Sequence, residues 1–111
     1  MDLETVTLER RGAVAWVTLS RPQRRNAFNN VMLGELIRLF RALGEDGEVR
    51  VVVLTGAGTV FCAGADLNWM KEVADYSFEE NVADGQLIYD ALHAIAALPQ
   101  VVVGRINGSA D

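Results

Sequence analysis

The chain has 111 residues, half of them apolar and 23% charged, with a net charge of −5. That length holds one modest domain, and that composition excludes a disordered chain. The acidic balance disfavours nucleic acid or an anionic membrane surface as the main partner. The single cysteine, Cys62, excludes an internal disulfide, and no signal-peptide pattern or apolar run of the roughly 20 residues a membrane span needs is seen. A cytoplasmic setting without a membrane partner is therefore expected.

Val6 and Leu8 alternate with Thr5, Thr7 and Glu9, and after Arg11-Gly12 comes the apolar run Ala13 to Leu19. Two strands joined by a tight turn, a β-hairpin, are predicted. Ser20 to Asn26 is a polar loop, in which Arg21, Arg24 and Arg25 crowd together and either suit one anionic group such as a phosphate or form an ordinary solvated loop. Phe28, Met32, Leu36, Phe40 and Leu43, widened by Leu33 and Ile37, fall at helical spacing, and Gly44 is placed to end that helix.

After the polar stretch Glu45 to Glu48, Val51-Val52-Val53-Leu54 suits a strand buried on both faces. The helix before it then serves as the crossover that parallel pairing requires. Thr55-Gly56-Ala57-Gly58 breaks the strand, and a second small-residue run, Cys62-Ala63-Gly64-Ala65-Asp66, ends in an acid that can cap a short helix over Leu67 to Val73. Within it, Trp69 and Met70 are read as core.

Ser77-Phe78-Glu79-Glu80 matches a capping box and opens a helix to about Ala97, with Val82, Ile88, Leu92 and Ile95 on its apolar face. Gly85 inside it costs about 1 kcal/mol relative to alanine. Pro99 closes the helix, Val101 to Ile106 reads as another buried strand, and Asn107-Gly108 breaks it.

The strand, glycine loop and helix start around Val51 to Leu67 form a natural ligand site beyond the carboxyl end of a strand. Nucleotide motifs do not fit it. Gly56-x-Gly58 is followed by Phe61 where a dinucleotide fingerprint has glycine or alanine, and no GxxxxGK occurs. Cys62 is read as packing and His93 as structural or surface, and no His, Cys or carboxylate cluster has metal-ligand spacing. Backbone chemistry remains: the small side chains of Ala63 to Ala65 let main-chain N–H groups approach a bound carbonyl, as an oxyanion hole demands.

At Phe61-Cys62-Ala63-Gly64-Ala65-Asp66-Leu67 the sequence resembles the FxAGADL signature of the crotonase, or enoyl-CoA hydratase/isomerase, superfamily. The hairpin followed by Arg21-Pro22 and Arg25-Asn26-Ala27, the strand Val51 to Gly58, and the closing Val102-x-Gly104-x-Ile106-Asn107-Gly108-x-Ala110 match in the same order. The resemblance covers essentially the whole chain. It implies an α/β fold, the N-terminal part of a crotonase-like ββα spiral, with residues 1–111 ending before a second oxyanion loop. It also implies an acyl-CoA thioester substrate, a homotrimer or hexamer for the complete protein, and no cofactor beyond the coenzyme A carried by the substrate.

Residue by residue, the resemblance makes the Ala65 N–H the first oxyanion donor. It sets Ala63, Gly64, Ala65, Asp66 and Leu67 along the coenzyme channel, Asn26 and Ala27 beside the coenzyme, and Arg24 and Arg25 near its phosphates. Asp66 is also explained as a helix cap. Ala65 to Met70 with Phe78 to Asn81 is most like the methylglutaconyl-CoA hydratase branch, which acts in leucine breakdown. Asp111 stands where the family commonly has a bulky apolar residue. The expected reaction is hydration of a 2-enoyl-CoA. The alternatives are enoyl-CoA isomerisation or thioester hydrolysis on the same fold, or a non-catalytic fragment that binds coenzyme A or joins full-length subunits. Residues 1–111 alone are expected to be inactive.

Overall fold

The computed structural model describes residues 2–58, 61, 62, 64 and 78–105. Its framework is a four-stranded sheet in the order β1-β2-β3-β4, formed by Val6–Arg11, Val14–Leu19, Val51–Gly56 and Val101–Arg105. β1 and β2 are the expected antiparallel hairpin, in register from Val6 opposite Leu19 to Arg11 opposite Val14. β2 pairs parallel with β3, and β3 parallel with β4. Each parallel step is bridged by a helix, α1 (Asn30–Gly44) and then α2 (Phe78–Ala96), which meets the length that a parallel connection demands.

The period-two pattern of β2 sorts its side chains cleanly. Ala15, Val17 and Leu19 are buried, whereas Val14, Trp16 and Thr18 are half-buried on the other face. Trp16 carries the Arg11 guanidinium 4.6 Å from its ring centroid. In β3 the neighbours Val52 and Val53 are both buried, as a strand covered on two sides requires. Met32, Leu36, Leu39, Phe40 and Leu43 of α1 close the core over Val17 and Val52. Full burial of each such apolar side chain contributes about 1.5–3 kcal/mol relative to exposure.

Two features differ from the sequence reading. Phe28 does not begin α1. Asn29 caps the helix, its side-chain oxygen accepting from the Met32 N–H at 3.0 Å, and Phe28 lies one residue before the cap. From there it packs against the cluster of Leu33, Ile37 and Ala91, in the manner of a hydrophobic staple. The expected burial of Val101 to Val103 is also corrected: among the described residues β4 pairs only with β3, and all three valines are exposed. A run of valines records strand propensity, whereas burial depends on what lies against the sheet.

Glu35 is a charged residue in the buried stripe of α1. It is 3% exposed, and its carboxylate accepts from the Glu4 and Thr5 N–H groups and from the Thr5 hydroxyl at 2.9–3.1 Å. Burial works against its charge, but those hydrogen bonds, with help from the Arg38 charge, hold its carboxyl below the ordinary value of 4.5. The segment before β1 is thereby tied to α1. The short helix expected over Leu67 to Val73, with Trp69 and Met70, and the Ser77 half of the capping box lie outside the described residues. α2 itself is present, ending at Ala96.

Candidate functional site

The carboxyl ends of β2 and β3 point the same way, so the loops that leave them lie side by side. The β2 loop turns through a short 3₁₀ turn, Pro22–Arg24, and then through two consecutive left-handed residues, Arg25 (φ 54°) and Asn26 (φ 56°). Each such non-glycine residue costs on the order of 1–3 kcal/mol unless its surroundings fix it. Here they do. The N–H groups of Arg25, Asn26 and Ala27 donate to the carbonyls of Pro22, Arg21 and Arg24 at 2.8–3.1 Å. The Arg21 guanidinium donates to the Ala27 carbonyl at 2.6 Å.

Asn26 is completely buried. Its Oδ1 accepts from the Arg21 N–H at 2.8 Å, and its Nδ2 donates to the Ala57 carbonyl at 2.8 Å. One amide therefore joins the loop after β2 to the exit from β3. Gly56 at that exit faces a closed space: a Cβ there would stand 2.4 Å from the Phe61 carbonyl oxygen, 2.7 Å from Phe61 Cα and 2.9 Å from Asn26 Nδ2. Only glycine lets the Phe61 backbone rest on the end of the strand. Farther on, Gly64 takes φ 93° and its carbonyl accepts the Phe28 N–H at 2.8 Å.

The expected site residues thus separate into groups. Arg24 and Arg25 are exposed, and among the described residues neither forms an ion pair. Asn26 and Ala27 are buried beneath them, and Gly64 is half-buried and held to the same loop by Phe28. Ala63, Ala65, Asp66 and Leu67 lie outside the described residues. The structure adds three participants that the sequence reading did not assign: the Phe28 N–H, the Arg21 side chain as a clamp on Ala27, and the Gly56 contact with Phe61. Their one sequence signal is Gly56 itself, a glycine directly after a buried strand.

Beside Phe61 and Cys62 is an apolar cavity of about 270 Å³, walled also by Phe28, Met32, Leu54 and Ile88. Cys62 is half-buried and packs against the core, in keeping with a packing role. His93 is exposed on α2 and stacks on Tyr89 with ring centroids 5.9 Å apart. Among the described residues no three His, Cys, Asp or Glu side chains are grouped to hold a metal ion, and no helix is long and apolar enough to cross a membrane.

Two paired loops beyond parallel strands carry the described residues of the FxAGADL stretch, Phe61, Cys62 and Gly64, with Gly64 held by Phe28. The sequence profile of the enoyl-CoA hydratase/isomerase family matches residues 9–111. The chain belongs to that family. A Mycobacterium bovis relative named probable enoyl-CoA hydratase echA6 is 44% identical over 98 residues, covering 88% of this chain and 37% of the relative. The short-chain-enoyl-CoA hydratase of Clostridium acetobutylicum is 37% identical over 111 residues, covering 99% of this chain and 41% of the relative. The crystal structure of an enoyl-CoA hydratase from Shewanella pealeana superposes with a TM-score of 0.92 at 30% identity, covering 96% of this chain and 40% of that one. The fold is therefore the crotonase fold, and this chain spans about two-fifths of the length of these family members.

Proposed function

We propose that the protein carrying this chain is an enoyl-CoA hydratase, adding water across the double bond of a 2-enoyl-CoA thioester. The observation that carries this reading is the bond from the Phe28 N–H to the Gly64 carbonyl. In a trans peptide the carbonyl and the following N–H point in opposite directions. Fixing the Gly64 carbonyl against the β2 loop supports the reading in which the next N–H along the chain, that of Ala65, serves a bound thioester oxygen.

On this reading the Ala65 N–H is the first oxyanion donor. Ala63 to Leu67 border the coenzyme, and the Arg24 and Arg25 guanidiniums meet its phosphates. The apolar cavity beside Phe61 takes the acyl chain. Water adds its oxygen to C3 of the substrate and a proton to C2, while negative charge collects on the thioester oxygen, where donated hydrogen bonds are worth most. The second donor and the acid and base come from the part of the fold that relatives carry beyond the matched span, so residues 1–111 are the N-terminal part of one domain and inactive alone. The reaction needs no cofactor other than the substrate's coenzyme A. A cytoplasmic trimer or hexamer completes the proposal, and a methylglutaconyl-type acyl group is one substrate that it accommodates.

Ala65→Pro tests the reading, since proline has no N–H to donate. In the whole protein, kcat on a short 2-enoyl-CoA should fall by about 10²–10³-fold, the scale of one lost oxyanion donor. Turnover equal to that of the unsubstituted protein rejects the assignment. Product analysis separates the sister reactions: a 3-hydroxyacyl-CoA means hydration, a moved double bond isomerisation, and free coenzyme A thiol hydrolysis.

A further inference from the structure

We infer that Asn26 is a positioning residue for the Phe61–Gly64 segment, and that it acts on the reaction through that segment without touching coenzyme or substrate. The inference rests on the acyl-thioester function proposed above. It differs from the expectation that Asn26 lies along the coenzyme as a contact.

Burial comes first. With no exposed surface, the Asn26 side chain has nothing to offer a ligand. Its Oδ1 accepts from the Arg21 N–H and its Nδ2 donates to the Ala57 carbonyl, both inside the fold. These two bonds reach across 5 and 31 residues of sequence, so the second fixes the spacing between two loops that the chain itself does not connect closely.

Contact comes second. The Asn26 Nδ2 and the Phe61 backbone occupy the same small space above Gly56, within 2.9 Å and 2.4 Å of where a Cβ would stand. If the Asn26 amide shifts, Phe61 loses one wall of its seat. Two residues after Asn26, the Phe28 N–H holds the Gly64 carbonyl. The loop pinned by Asn26 therefore grips the segment at both ends, at Phe61 by packing and at Gly64 by a hydrogen bond. The left-handed backbone of Arg25 and Asn26 gives the loop the sharp turn that makes both grips reachable.

Asn26→Asp in the whole protein is the test. It keeps the shape and the Oδ1 acceptor but sets an oxygen in place of the Nδ2 donor facing the Ala57 carbonyl. Three readouts distinguish positioning from contact and from simple structure. KM should stay within about 3-fold while kcat falls by about 10- to 100-fold, the effect of a misplacement near 1 Å. The red shift of a bound cinnamoyl-CoA, which reports polarisation of its thioester carbonyl, should be lost. Hydrogen exchange at the Phe28 amide should speed up by at least about tenfold relative to the unsubstituted protein.

A retained red shift with kcat within about 2-fold overturns the inference, as does a raised KM at constant kcat, which would make Asn26 a contact. Should Asn26→Asp fail to fold, exchange in the unsubstituted protein decides: slow Phe28 and Arg21 amides uphold the grip on Gly64 and the Asn26 anchor behind it, and fast exchange at either overturns the inference. Absence of any red shift in the unsubstituted protein defeats the thioester reading itself. The Phe28 exchange rate in Asn26→Asp then judges the positioning claim separately.

Discussion

The amide of Phe28 donates to the carbonyl oxygen of Gly64 at 2.8 Å, joining the loop after β2 to the loop after β3. These residues are far apart in sequence, and the bond converts two separate glycine- and arginine-containing turns into one site. The same junction is braced from below by Asn26 and Gly56.

Gly56→Ala should be poorly tolerated. The new methyl would meet the Phe61 carbonyl oxygen at 2.4 Å, and since that obstacle is backbone, the segment itself must move. We expect a loss of about 1–3 kcal/mol in urea denaturation, the usual cost of overpacking, with activity falling further than stability. A variant as stable and active as the original would contradict the contact.

Arg25→Ala should weaken coenzyme A binding in the whole protein more than Trp16→Ala does. Arg25 is exposed beside the site, whereas Trp16 lies on β2 beneath Arg11. An exposed charge contributes at most about 1 kcal/mol, roughly five-fold in Kd, and the difference should shrink at high salt. Calorimetry giving equal effects for the two variants would remove the phosphate role from this loop.

The cap of α1 offers a cleaner stability test. Asn29→Ala deletes the acceptor for the Met32 N–H and should cost about 1 kcal/mol, whereas Asn29→Asp keeps an acceptor and adds a favourable charge at the helix N-terminus. Thermal unfolding should therefore rank Asp at or above Asn and both above Ala.

Glu35 gives the protein a specific acid sensitivity. Its carboxyl is held below 4.5 in the folded state, so its contribution is present above that pH and is lost as pH falls through the lower folded value. Glu35→Gln should cost about 1–3 kcal/mol at neutral pH, because the Oε2 acceptor becomes a donor facing the Glu4 N–H while the remaining oxygen, now uncharged, serves the Thr5 N–H and hydroxyl. In denaturant titrations the gap between the two proteins should narrow as pH drops below 4.5. A gap constant down to acid pH would show that the charge contributes nothing.

Local patterns made much of this fold legible. Alternation located the hairpin, four-and-three spacing located α1, and the valine run located β3 with its parallel role. What stayed hidden depends on distant partners. Asn26 meets Ala57 across 31 residues, and nothing in the polar loop distinguishes a buried asparagine from a solvated one. Glu35 meets Thr5 across 30 residues, so a carboxylate in an apolar stripe carried no local signal of its partners. β4 has the composition of a buried strand, yet its exposure depends on its neighbours. Phe28 has helical spacing with Met32, but the stronger cap at Asn29 decides where the helix begins.

Hydration of a 2-enoyl-CoA is the reaction proposed for the site braced by Phe28 and Gly64. The most direct measurement is mass analysis of the products when the whole protein acts on a short 2-enoyl-CoA in water enriched in oxygen-18. Hydration predicts a 3-hydroxyacyl-CoA with one labelled oxygen and an intact thioester. Released coenzyme A with a labelled carboxylic acid, a shifted double bond without label, or unchanged substrate would contradict it.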